Sequence, residues 1–187
     1  MKRVFLTLFS LAILSMFALN IAGCGSVAPS NDTEKQNMDQ QAQGTIQTFK
    51  TADPTMQKFF DNAYGYAVLP SVTSGALVVG GANGDGEVFQ GGSLIGYCRM
   101  SQGNIGAQIG GQSFAEIIFF ENAATLAQFQ AGQTTFDARA TAVAASAGAA
   151  SAANYQNGVV VFSKSLGGLM AQAAVGGQSF TFVPLNN

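Results

Sequence analysis

The chain reads as an α+β protein: a strongly bent, barrel-like antiparallel β-sheet with a few flanking helices. Three observations lead there. Short apolar runs punctuated by glycine fill residues 64–111, the pattern of strands joined by tight connections. The pentapeptide GGQSF occurs twice, at residues 110–114 and 176–180, each time followed by an apolar strand-like run. Ahead of them, Phe49, Met56, Phe59, Phe60 and Ala63 recur at three- and four-residue intervals, the period of an amphipathic helix.

That helix has a start signal, with Asp53 as N-cap and Pro54 at the first helical position. Its apolar stripe is expected to pack on the sheet; the alternative is a membrane-dipping face carrying Lys50 and Lys58. The strands follow as YGYAVLPSV, GALVVGGA, GEVFQGG, SLIGYCRM and NIGAQIGG. Between two of them, Asn83-Gly84-Asp85-Gly86 reads as a hairpin turn, because these residues tolerate positive φ. The same stretch falls short of a calcium loop in donors and spacing. SFAEIIFFE is a long apolar strand, and NAATLAQFQAG a helix capped by Asn122 and stopped by Gly132. Residues 136–153 are ambiguous, since the alanines favour helix. GVVVFSKS, GGLMAQAAVGG and SFTFVP close the chain as strands.

Within GGQSF, the Gly-Gly pair supplies backbone angles that side chains forbid. Neither Ser113 nor Ser179 has a basic partner in sequence, so the repeat marks a structural corner rather than a nucleophile. Composition narrows the chemistry further. The 187 residues contain no histidine, which removes Ser-His-Asp triads, Cys-His pairs and His-ligated metals. Cys24 and Cys98 are too far apart for a metal knuckle. A net charge of −2 without a basic cluster in the body argues against nucleic acid as a partner. No cofactor is expected.

The N-terminus carries an address. Lys2 and Arg3 precede an apolar run of signal-peptide length, which ends in Ile21-Ala22-Gly23-Cys24. This resembles a bacterial lipoprotein signal, with cleavage after Gly23 and a diacylglyceryl thioether on Cys24; an ordinary secretory signal or a membrane helix is the alternative. Gly25, in place of Asp, favours the outer membrane of a double-membrane cell, with the body facing the periplasm. Each buried methylene contributes about 0.8 kcal/mol, so two or three chains give a stable anchor. Loss of residues 1–23 leaves six basic side chains against ten acidic ones, a charge of −4. Residues 24–44 are polar and aperiodic and read as a flexible tether, in part helical between Glu34 and Gln43. Fully extended, about twenty residues span about 65 Å. Residues 45–187 form the globular body.

The ordered combination of the helix, the YGYAVLP strand with its Gly-rich continuation, NIGAQIGGQSFAEIIFF and VVVFSKSLGG resembles the SYLF domain. The likeness covers roughly residues 45–184, nearly the whole body. It implies a non-enzymatic, lipid-binding module. It also implies a strand over residues 137–145, against the helical preference of the alanines. Where many relatives carry Gly-Pro followed by a basic residue, this chain has Gly148-Ala149-Ala150. Phosphoinositide specificity is therefore not carried over.

The function expected is that of a membrane-anchored envelope lipoprotein. Its partners would be membrane lipids, anionic phospholipid among them, with Lys58, Arg99, Arg139 and Lys164 as head-group contacts. For each of these cations a solvated charge or a surface ion pair is the plainer role. The alternative is a structural lipoprotein that binds another envelope protein. A hydrolase is the remoter reading, because the carboxylate pairs Asp85/Glu87 and Glu116/Glu121 lack a supporting motif.

Overall fold

A computed structural model describes residues 26–75, 81–103, 112–134, 142–167 and 177–185. Helix α1 (Asp32–Ala52) begins at a reciprocal cap. The Asn31 side chain accepts from the Glu34 backbone N–H at 2.9 Å, and the Glu34 carboxylate accepts from the Ser30 N–H and hydroxyl, each at 2.8 Å. Those hydrogen bonds hold the Glu34 carboxyl below its usual pKa. Ala42, Ile46 and Phe49 form the buried stripe. The helix expected in part between Glu34 and Gln43 is longer, running continuously from Asp32 through residue 44 to Ala52. A 3-10 turn (Pro54–Met56) and helix α2 (Gln57–Asn62) follow. Asp53 caps the turn with Pro54 in first position, as the sequence signals, while Phe49 belongs to the preceding helix.

The sheet comprises β1 (Gly65–Gly75), β2 (Gly81–Gln90), β3 (Ser93–Gly103), β4 (Gln112–Phe120), β5 (Val143–Ala144), β6 (Val159–Gly167) and β7 (Gln178–Pro184). Helix α3 (Ala123–Gln130) follows β4, and a single-turn helix α4 (Ala149–Ala152) follows β5. The strand order is β5-β6-β4-β1-β2-β3-β7, antiparallel throughout except for the parallel β5/β6 pair. The α+β class holds. The strongly bent, barrel-like, wholly antiparallel sheet does not: this sheet is mixed and open, with β5 and β7 at its two edges.

The glycines read as a hairpin turn do other work. Gly84 and Gly86 lie inside β2 rather than in a hairpin turn. A Cβ on Gly86 would collide with the Val68 carbonyl oxygen, and one on Gly84 would lie 2.8 Å from Val72 Cγ2. Both glycines face the stretch of β1 where the register slips, and Pro70, which lacks an N–H, sits in that irregularity. The turn is made instead by Gly91 and Gly92, with φ of 56° and 80°, between the paired residues Gln90 and Ser93. Asn122 caps α3, and Gly132 leaves it at φ 67°, as expected.

Of the strand expected over residues 137–145, residues 137–141 lie outside the described residues. Val143–Ala144 form the short β5, and Ala149–Ala152 turn into α4, so the alanine run is divided between strand and helix. NIGAQIGG, most of GALVVGGA and most of GGLMAQAAVGG also fall outside the described residues.

Both faces of the sheet are buried. On β4, Ile117 and Phe119 join Phe49, Met56, Phe59 and Phe162 beneath the helical layer of α1, α2 and α4. The alternate residues Phe114, Ile118 and Phe120 point to the other face, where Leu126 and Phe129 of α3 cover part of the core. Phe129 lies with its ring centroid 4.8 Å from Phe120 and 4.9 Å from Phe180 on β7.

Two glycine substitutions separate these roles. Gly86→Ala should lower unfolding free energy by about 2–3 kcal/mol, since β1 must move away from the new methyl group. Gly44→Ala, with open space around the new Cβ in mid-helix, should raise it by about 0.5–1 kcal/mol. Urea unfolding of both variants checks the contrast.

Candidate functional site

The helical layer is organised around one carboxylate. Asp53 is wholly buried, yet two segments supply it with donors. Its Oδ1 accepts from Thr55 N (3.0 Å), Thr55 Oγ1 (2.6 Å) and Gly148 N (3.1 Å), and its Oδ2 from Ala150 N at 2.7 Å. Burial pushes this carboxyl's pKa up, but the hydrogen bonds outweigh it and the net shift is downward. Asp53 thus ties the start of the 3-10 turn to α4, nearly a hundred residues later.

Between the joined segments lies an open pocket of about 240 Å3, lined by Lys58, Phe59, Asn62, Ala153, Asn154 and Tyr155. Lys58 Nζ sits 4.8 Å from the centroid of the Phe59 ring and donates to the Ser151 carbonyl at 3.1 Å. The Tyr155 ring meets Phe59 edge-on at 5.6 Å. Its hydroxyl is buried without a hydrogen-bond partner, and burial, assisted by the charge of Glu121, pushes its pKa to about 12. One turn before the site, Lys50 Nζ lies 4.5 Å from the centroid of the Phe60 ring. Both lysines thus run their stems along aromatic rings and end in cationic heads.

Arg99 and Lys164, also proposed from sequence, do not line this pocket. Arg99, on β3, is held by Asp85 opposite it on β2, with Nε to Oδ1 at 2.6 Å and Nη2 to Oδ2 at 2.9 Å. The same Nη2 donates to the Ser26 carbonyl at 3.3 Å. Lys164 lies half-buried on β6, paired with Ala115. Arg139 and Cys24 lie outside the described residues. The Arg99–Ser26 contact fixes the N-terminal arm to the body. A second, more polar cavity of about 440 Å3 opens there, lined in part by Ser26, Pro29, Glu34, Met38, Gln41 and Asp85.

The acidic residues singled out as pairs are separated by burial. Glu87 is fully buried beneath α1, with neither oxygen hydrogen-bonded, whereas Asp85 is ion-paired. Burial, reinforced by Asp39 on α1, pushes the Glu87 carboxyl to about 7. Glu116 is fully buried in mid-strand, while Glu121 is exposed beyond the end of β4. Desolvation also raises Glu116 to about 7, against the lowering effect of a hydrogen bond from Gln178. Sequence reasoning read these glutamates only as weak pairs. The available signal was a single acid inside the apolar run FAEIIFF. Tyr155 gave no signal, because its environment is assembled from segments far apart in sequence.

Comparison of the chain with models of known protein families finds no match, and comparison with curated proteins finds none either.

Removal of the Asp53 carboxylate should loosen the pocket. Asp53→Ala is expected to lose about 2–3 kcal/mol, combining a lost cap with stranded buried N–H groups, and Asp53→Asn less. The depressed pKa makes this contribution complete above the unfolded carboxyl's value of about 3.9 and lost as pH falls through the folded value. Thermal melts between pH 2 and 6 should therefore converge for wild type and Asp53→Asn at the acid end.

Proposed function

We propose that the chain is a membrane-anchored envelope lipoprotein whose SYLF-like, non-enzymatic body binds lipid head groups, with Lys58 and its pocket as the principal contact. The carrying observation is the lipoprotein-type Ile21-Ala22-Gly23-Cys24 signal, followed after one residue by an arm docked on the body at Ser26. Two residues span at most about 7 Å. An acyl group on Cys24 would hold the domain against the bilayer rather than at the end of a long tether. No helix among the described residues is long and apolar enough to cross a membrane, which leaves attachment by acyl chains compatible with the fold.

The electrostatics fit a surface-seated body rather than a scavenger of anionic membranes. One lysine near an anionic surface contributes about 1 kcal/mol, so Lys50 and Lys58 together supply weak attraction to a chain of net negative charge. The anchor compensates by keeping the lipid at high effective concentration. Arg99 is a bracing residue in this reading: its guanidinium is committed to Asp85 and Ser26.

Sedimentation with vesicles tests the proposal on protein lacking residues 1–24. Anionic vesicles should pellet it more than neutral ones, at low salt only, and Lys58→Ala should lower the pelleted fraction several-fold while Lys164→Ala changes it little. Equal, negligible pelleting with both vesicle types would remove the lipid-binding claim.

A further inference from the structure

The second GGQSF copy contributes a contact that the fold alone does not require. Gln178, its glutamine, opens β7 at one edge of the sheet, directly after Gly177 at φ 78°. Glu116 lies on β4, with β1, β2 and β3 between the two strands. Yet Gln178 Nε2 donates to Glu116 Oε2 at 3.1 Å, across the face that carries α3. Both side chains are buried, Glu116 completely and Gln178 to within 4%.

Each residue then has one oxygen left over. Glu116 Oε1 and Gln178 Oε1 are both buried and both lack a hydrogen-bond partner. Two neighbouring acceptors with no donor are costly in a dry interior. One proton resolves both. A carboxylic acid and a primary amide can form a closed ring of two hydrogen bonds, amide N–H to acid carbonyl and acid O–H to amide carbonyl. The observed bond is the first of these arms, and the two orphan oxygens are the donor and acceptor sites of the second.

We propose that Glu116 is carried as the neutral acid and forms a two-armed latch with Gln178, its O–H donating to Gln178 Oε1 while Gln178 Nε2 donates to Glu116 Oε2. The latch fastens edge strand β7 to the centre of the sheet and opens when the acid loses its proton. An ionised Glu116 would lose the second arm and leave a carboxylate in an apolar layer. Its paired neighbours are Leu69 on β1 and the buried Ser163 on β6, with the buried Gln102 beside Gln178; Phe114, Ile118, Phe180 and other apolar groups make up the rest of that layer. Among the described residues, the other titratable group on this face is the Cys98 thiol of β3, itself held neutral by burial and by surrounding carboxylates. Asp85, Glu87, Tyr97, Arg99 and Lys164 alternate to the opposite face, and α3 carries no titratable side chain. No cation on the described elements is therefore placed to stabilise the ionised form. The direction in which burial moves the Glu116 carboxyl agrees with this geometry.

The sign of the pH effect follows. A carboxyl raised in the folded state binds its proton more tightly than in the unfolded chain. Its contribution is complete below the unfolded value of about 4.3 and is lost as pH rises toward the folded value near 7. Glu87 titrates in the same window, so the test compares wild type with Glu116→Gln, which keeps both arms as an amide pair but cannot ionise.

The experiment uses the full chain, purified in detergent and labelled with 13C at glutamate side-chain carboxyls. The Glu116 signal should show a protonated acid at pH 6 with a midpoint near 7. Between pH 4.5 and 7.5 the wild-type unfolding constant should rise on the order of a hundredfold more than that of Glu116→Gln. Amide exchange in residues 178–182, corrected for intrinsic rate, should accelerate above pH 7 in wild type alone. A Glu116 carboxylate at pH 6, or the same pH dependence of unfolding and exchange in Glu116→Gln, would overturn the latch.

Discussion

The helical side of this molecule hangs on the hydrogen bonds to Asp53. The α4 turn is a single turn that could not persist alone, and the α1–α2 corner must be held at the angle that lets Phe49, Met56 and Phe59 reach the sheet. A buried carboxylate accepting from the Thr55 N–H and hydroxyl, Gly148 and Ala150 gives those short pieces a fixed mutual geometry. The aromatic cluster of Phe59, Phe119, Tyr155 and Phe162 can then close beneath them. The pocket beside Lys58 is a consequence of that closure. Its floor is packing, its rim is backbone, and its single positive charge is delivered by α2.

A scarcity of charge shapes the rest. Charged residues make up 10% of the chain, and among the described residues three carboxylates are nevertheless buried: Asp53, Glu87 and Glu116. Each meets a different environment. Asp53 is surrounded by donors and stays below its usual pKa; Glu87 has none and is raised; Glu116 has one amide partner and is raised as well. The difference follows from what lies opposite. Asp53 faces helix and turn N–H groups that need acceptors, whereas the two glutamates stand on strands whose backbone donors are already used in the sheet.

The sequence made the elements legible where one local rule decided them. Asn122 and Gly132 bracket α3, Asp53 and Pro54 start the 3-10 turn, and the apolar run ending in Phe120 is β4. It misled where a glycine had two possible uses. Asn83-Gly84-Asp85-Gly86 has turn chemistry, but its glycines are there because β1 approaches too closely for a side chain. Whether a sheet closes is likewise a property of strand order and edge pairing, and no residue type encodes it directly. Of the candidate cations, Lys58 lines a pocket and Arg99 is consumed by Asp85. The partner of Arg99 could be anticipated only from the β2/β3 register, which depends on the turn being at Gly91-Gly92. The helix expected in part over Glu34–Gln43 runs on to Ala52, an extent hard to read because its buried stripe, Ala42, Ile46 and Phe49, straddles residue 44.

The central claim joins the address at the N-terminus to the docked arm: a body held close to a bilayer by acyl groups on Cys24. Mass spectrometry of the protein extracted from its host's membranes tests this most directly. The account predicts a mature chain beginning at Cys24 and carrying thioether-linked diacylglycerol. A chain that retains residues 1–23, or one that begins there with an unmodified Cys24, would contradict it.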